Sequence, residues 1–399
     1  MKTKSPIDAE LAGLKYLYAL FGAGIISFFL TSRVPVQLTN PGFVGEFFTH
    51  STLLPALEES GVTPYSLWYW GQLLLIGESR EQQILLNAGL LLIGFLTFAK
   101  GVVLTGVLVA FSMKPLPAVV LGSLLGVAVA LPTAPFERWS PLAGESTSYL
   151  GTLPPNVFMS ATQIVANTFT VLAVTSLCLW FVAPTTQRLI NLSIFSLIQV
   201  LAKPGIALPW VVAVVFLALA MCYLRRISIR DGFLLGVFTV LPPGLVMLFT
   251  YRQYMAGSGW KWTSSRLMPL EIWTSYTDQW FMDLLASWAF PIATTVALMI
   301  CKGVKDMSFQ FLIPAWLLAL VAVLVFALLA EVDGAGNVAS SGNFAWGAMS
   351  ATAGLYVVSA VATIRLPWRF KIIPFGLLGV QSIAGFMYVN QYVATGKYL

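Results

Sequence analysis

Apolar residues along this chain come in long, nearly unbroken runs rather than at the spacing of a half-buried helix or strand. Eleven runs can be drawn, near 13–31, 84–111, 116–132, 157–182, 189–202, 207–224, 232–250, 285–301, 308–330, 344–363 and 372–391. A helix that crosses a bilayer needs about 20 mostly apolar residues. Most of the runs meet that length. The run at 189–202 is too short and predicts a bent or half-buried hairpin with its successor, around Lys203, Pro204 and Gly205. The pattern predicts an all-α polytopic membrane protein of about 10–11 transmembrane helices, forming one transmembrane domain over residues 1–399.

Composition narrows the class. The 399 residues are 58% apolar and 10% charged, against about 25% charged in a soluble domain. That excludes a soluble globular chain and a disordered one. Lys2, Lys4 and Lys15 precede the first run, and no small-residue cleavage pattern follows it, so it reads as a retained span. Cys178, Cys222 and Cys301 are far apart and lie in or beside apolar runs, where they read as small hydrophobes. His50 is the one histidine, which excludes a site of several imidazoles.

Charge then orients the chain. With the N-terminus in the cytoplasm, 13 of the 22 Lys and Arg fall on cytoplasmic segments. Eight fall outside, and Lys100 lies within a span, about two-thirds through, where it reads as snorkelling to the inner surface. This satisfies the positive-inside rule for a multi-pass protein of the cell's inner (plasma) membrane. The net charge of +6 is therefore topological and gives no reason to expect a nucleic acid as partner. The cytoplasmic connections are short. The outer side carries the longer segments 32–83, 133–156, 251–284 and 331–343, and recognition or chemistry is expected there.

Three outer constellations carry candidate chemistry. In the first loop, a Phe43–Glu59 stretch and a Trp-Tyr-Trp stretch at 68–70 predict two amphipathic helices lying in the interface, with a turn at Val62-Thr63-Pro64 between them. Glu46 and His50 are four apart and share a helix face. A carboxylate beside the only imidazole suits general-base work or metal binding, and equally an exposed hydrogen bond on an interfacial helix. The second constellation is Tyr149-Leu150-Gly151 followed by Pro154-Pro155-Asn156, in which Asn156 is expected to cap the start of the fourth span. Free N–H groups at such a start suit an anion. The third sets Arg252 and Arg266 among Trp260, Trp262, Trp273 and Trp280, where cations suit a phosphate and flat rings suit a sugar. An interfacial helix anchored by aromatics explains the same tryptophans. Lys203, near the outer end of a span, is placed to face a lipid phosphate.

In this order the pieces resemble the GT-C superfamily of integral membrane glycosyltransferases, with a cytoplasmic N-terminus, many spans and a long first outer loop bearing two interfacial helices and an acidic residue. More locally, Tyr149-Leu150-Gly151, Pro154 to Val157, Lys203-Pro204 and Gly342-Asn343-Phe344-Ala345-Trp346-Gly347 resemble a bacterial group of GT-C-like proteins associated with surface polysaccharides. Where that group has an aromatic-His-Asn-Pro-Thr run, this chain has Phe158 to Thr162, and the group's first-loop Asp has Glu46 as its nearest counterpart. The resemblance implies transfer of a sugar from a polyprenyl-phosphate donor to a glycan or lipid acceptor. It implies Glu46 as base or as ligand of a divalent cation such as Mg or Mn, with His50 beside it. Lys203, Arg252 and Arg266 would hold the donor phosphate, and Asn156, Tyr149, Trp260 and Asn343 would contact substrate. Three other readings stay open. They are an O-antigen polymerase or ligase, a lipid-linked glycan transporter, and a non-catalytic subunit bound to membrane-protein partners.

Overall fold

The fold comes from a computed structural model, which describes residues 6–31, 46–59, 66–111, 113–130, 152–157, 160–255, 262–303, 305–333, 336–338 and 343–395. Each of the eleven apolar runs is helical. They form α1 (Pro6–Thr31), α5 (Gln82–Ala110), α6 (Pro115–Val127), α7 (Ala161–Val182), α8 (Thr186–Ala202), α9 (Ala207–Tyr223), α10 (Ile229–Thr239) with α11 (Leu241–Met255), α13 (Trp280–Ser287) with α14 (Ala289–Cys301), α15 (Met307–Leu328), α16 (Asn343–Ile364) and α17 (Trp368–Thr395). The first outer segment adds α2 (Glu46–Thr52), α3 (Leu54–Glu59) and α4 (Leu67–Ile76), and α12 (Glu271–Tyr276) precedes α13.

The chain is thus a multi-pass α-helical membrane protein. Among the described residues seven helices are long and apolar enough to cross a bilayer, or eight if α13 and α14 are one span bent by 62°. Two of the runs are interrupted early. Helix α6 stops after 13 residues. Helix α8 ends at Ala202 because Pro204 cannot continue it, and a 3-10 turn, Pro204–Ile206, starts α9, as the sequence hairpin predicts. Two described elements are strands. Strand β1 (Trp262–Leu267), in a segment for which an aromatic-anchored helix was one expectation, pairs antiparallel with β2 (Leu329–Asp333).

Helix α16 is the centre of the bundle. Nearly all its residues are buried, and it packs on α7, α14 and α15. The short basic turns gather at one end of the molecule. Arg226 reaches Gln310 and the ring of Phe181, and Arg365 lies over Phe111, whose ring packs on Phe311. At the other end stand α2–α4, the β1–β2 pair and the first turn of α16. This grouping matches the charge-based division of the loops into two sets.

Candidate functional site

The end bearing the long segments is held together by contacts distant in sequence. Ser66 caps α4, and its hydroxyl also donates to the Ala202 carbonyl at 2.7 Å, which pins the first outer segment to the α8–α9 break. Buried Tyr69 of α4 places its hydroxyl 2.6 Å from His50 Nδ1 on α2. Beside Ala202, Lys203 donates from Nζ to Thr162 Oγ1 at 3.1 Å and lies 5.1 Å from the centre of the Trp346 ring. A cation over an indole face is an attractive arrangement. Asn343, which opens α16, donates to Glu331 Oε2 at 2.5 Å. In the strand pair Arg266 stands opposite Ala330, next to Glu331, with its side chain exposed.

The structure therefore brings His50, Lys203, Asn343 and Arg266 to one end of the bundle. Glu46 is the first residue of α2 and Arg252 lies in α11, but their side chains fall outside the described residues, as do Tyr149 and Trp260 altogether. Tyr69, Thr162, Trp346 and Glu331 lie in segments the sequence singles out, but their pairings were not signalled by it, because each acquires its partner only by tertiary contact. On the rim, Arg80 donates to both carboxylate oxygens of Glu58 at 2.6 Å, and this hydrogen bond holds the Glu58 carboxyl below the usual carboxylate range. Among the described residues no group of three or more His, Cys, Asp and Glu assembles, and His50 Nδ1 is engaged by Tyr69.

Asn156 lies elsewhere. Helix α7 starts at Ala161 with Ser160 as its cap, so Asn156 does not cap it. The stretch Leu153–Val157 is non-helical and fully buried, a backbone state tolerated at membrane depth only inside protein. Asn156 is 2% exposed. Its Nδ2 donates to the carbonyls of Leu125 at 2.8 Å and Ala128 at 2.6 Å, and its Oδ1 accepts from Lys100 Nζ. Lys100 is 7% exposed and does not snorkel. From here a polar ladder runs along α7 and α16. Asn167 Nδ2 donates to Pro155 O at 3.1 Å, and Gln163 Nε2 reaches Asn167 Oδ1, Ser350 Oγ and the Trp346 carbonyl. A small cavity of about 10 Å³ beside Lys100, also lined by Asn167 and Tyr356, has room for about one water. It is too small for a sugar. Compared with protein-family models, curated proteins and solved structures, the chain matches none.

Proposed function

We propose that the protein is a membrane glycosyltransferase that moves a sugar from a polyprenyl-phosphate donor to a glycan or lipid acceptor, at the extracytoplasmic face of the inner (plasma) membrane. One observation carries this reading. The segment bearing His50 docks through Ser66 on the helix break that ends in Lys203, so the acid–base candidates and a cation share one end of the bundle. Such a pairing is the equipment for activating a hydroxyl and holding a phosphate. In this reading Glu46 accepts the proton of the acceptor hydroxyl and His50 orients it. The acceptor oxygen bonds to the anomeric carbon with inversion, the bond from that carbon to the phosphate oxygen breaks, and polyprenyl phosphate leaves. Lys203, Arg252 and Arg266 neutralise the phosphate, Trp260 offers a face for sugar, and Asn343 and Tyr149 offer polar contacts.

The test is transfer from a polyprenyl-phosphate sugar by the full chain in proteoliposomes. Glu46→Gln should lower turnover by about 100-fold or more, the ordinary scale of general-base loss. Lys203→Ala should chiefly raise KM for the donor. Transfer by Glu46→Gln at the wild-type rate would remove the base assignment.

A second reading, transport of a lipid-linked glycan, is favoured by the helices that break inside the bundle, α6 at Val127 and α13–α14 at Trp288. Discontinuous helices are a feature of transporter binding sites. Movement of labelled donor across the proteoliposome bilayer, with no transfer to acceptor, would favour it over the enzyme.

A further inference from the structure

The broken end of α6 leaves backbone groups that lipid cannot satisfy, and five of them have protein partners. The last carbonyls of a helix lack intrahelical donors. Here Leu125 O and Ala128 O accept from the Asn156 amide, Gly126 O accepts from Lys100 Nζ at 3.4 Å, and the Val129 N–H donates to Gln381 O at 3.1 Å. Ser382 Oγ adds a bond to Leu124 O at 3.0 Å.

Two features give this place the character of a cation site. The Asn156 amide has only one workable orientation, because its Nδ2 faces two carbonyls, and that orientation turns Oδ1 toward the ammonium. The carbonyl end of α6 also carries the negative end of the helix dipole. Unwound carbonyls at a half-helix C-terminus, deep in a membrane protein, are the arrangement that ion-coupled proteins use to hold a monovalent cation. We propose that the oxygen cage at the end of α6, formed by Gly126 O and Asn156 Oδ1, is a monovalent-cation site that this chain fills with its own Lys100 ammonium. The tethered cation replaces a diffusible one and keeps the buried 153–157 segment seated whatever the salt outside. The small cavity alongside, lined by Thr168 and Tyr356, has room for about one water.

Removing the side chain should turn the site into one for a free ion. Full-length Lys100→Ala, in detergent or nanodiscs with tetramethylammonium as the only cation, should unfold at a lower temperature than wild type. Ammonium or methylammonium at equal ionic strength should raise its Tm saturably and leave wild type unmoved. If the variant is not recovered in tetramethylammonium, extraction in ammonium salt reads the same effect as yield of monodisperse protein. Lys100→Ala combined with Asn156→Leu removes a cage oxygen and should lose the rescue. The proposal is overturned if ammonium, methylammonium, potassium and sodium all fail to restore Lys100→Ala, or if they raise wild type equally.

Discussion

Arg80 shows how one residue organises the end that carries α2–α4. It donates to both oxygens of Glu58 and to the carbonyls of Gly77 and Ser79 at 2.9 Å, tying α3 to the α4–α5 turn. Since the Glu58 carboxyl is held below its ordinary range, the pair stabilises the fold above the unfolded carboxylate pKa, and that contribution is lost as pH falls through the lowered one. Both partners are about a third exposed, so the contribution is at most about 1 kcal/mol after solvent screening. Thermal unfolding from neutral to acid pH should find Arg80→Ala less stable than wild type at neutrality and equal to it at the acid end. A gap that does not change with pH refutes the ion-pair account. Among site residues, Lys203 was legible because a lysine before a proline interrupts an apolar run. The His50–Tyr69 bond spans 19 residues and two short helices, and no local pattern encodes it. Lys100 was visible as a charge in a span, but its partner is 56 residues away, so the sequence left snorkelling as its natural reading.

At the level of elements, bare backbone lets helices approach where any side chain would part them. A Cβ on Gly385 of α17 would sit 1.7 Å from the Val127 carbonyl at the end of α6. One on Gly347 of α16 would sit 2.6 Å from Gly205 O, in the turn that follows Lys203. Small residues at such crossings are what allow close packing in membranes. Gly385→Ala should cost about 1–3 kcal/mol, the range for overpacking, read as a lowered Tm of the purified protein. Gly376→Ala on the same helix has nothing within 4 Å and serves as the control, with Tm unchanged or slightly raised. Equal effects of the two substitutions would mean that α17 does not press on α6 as described. The helices themselves were legible, since each apolar run became one helix or a broken pair. Their breaks were less so. Pro204 announces the end of α8, whereas no proline or polar residue marks the stop of α6 at Val127, where partners from α5, α17 and the 153–157 segment take up the backbone.

For the molecule as a whole, the grouping of turns gives a topology that labelling can test. Single cysteines at Ser228 and Lys305, in a background lacking Cys178, Cys222 and Cys301, should react with an impermeant maleimide only after cells are opened. A cysteine at Glu59 or Asn337 should react in intact cells. Labelling of all four in intact cells, or the reverse pattern, would contradict a cytoplasmic N-terminus. The two-stranded pair β1–β2 belongs to this scale as well. Its strands lie more than 60 residues apart and meet only because α12–α15 return the chain to the same end.

The sequence by itself determined that this is a multi-pass helical membrane protein. Transfer of apolar runs into lipid and retention of cations at one face are additive properties of short segments, readable without a fold. The structure alone decided where helices break inside the bundle and that Lys100 turns inward to Asn156. These outcomes depend on satisfying buried backbone and charge with partners far along the chain, and only a packed bundle brings such partners within hydrogen-bond reach.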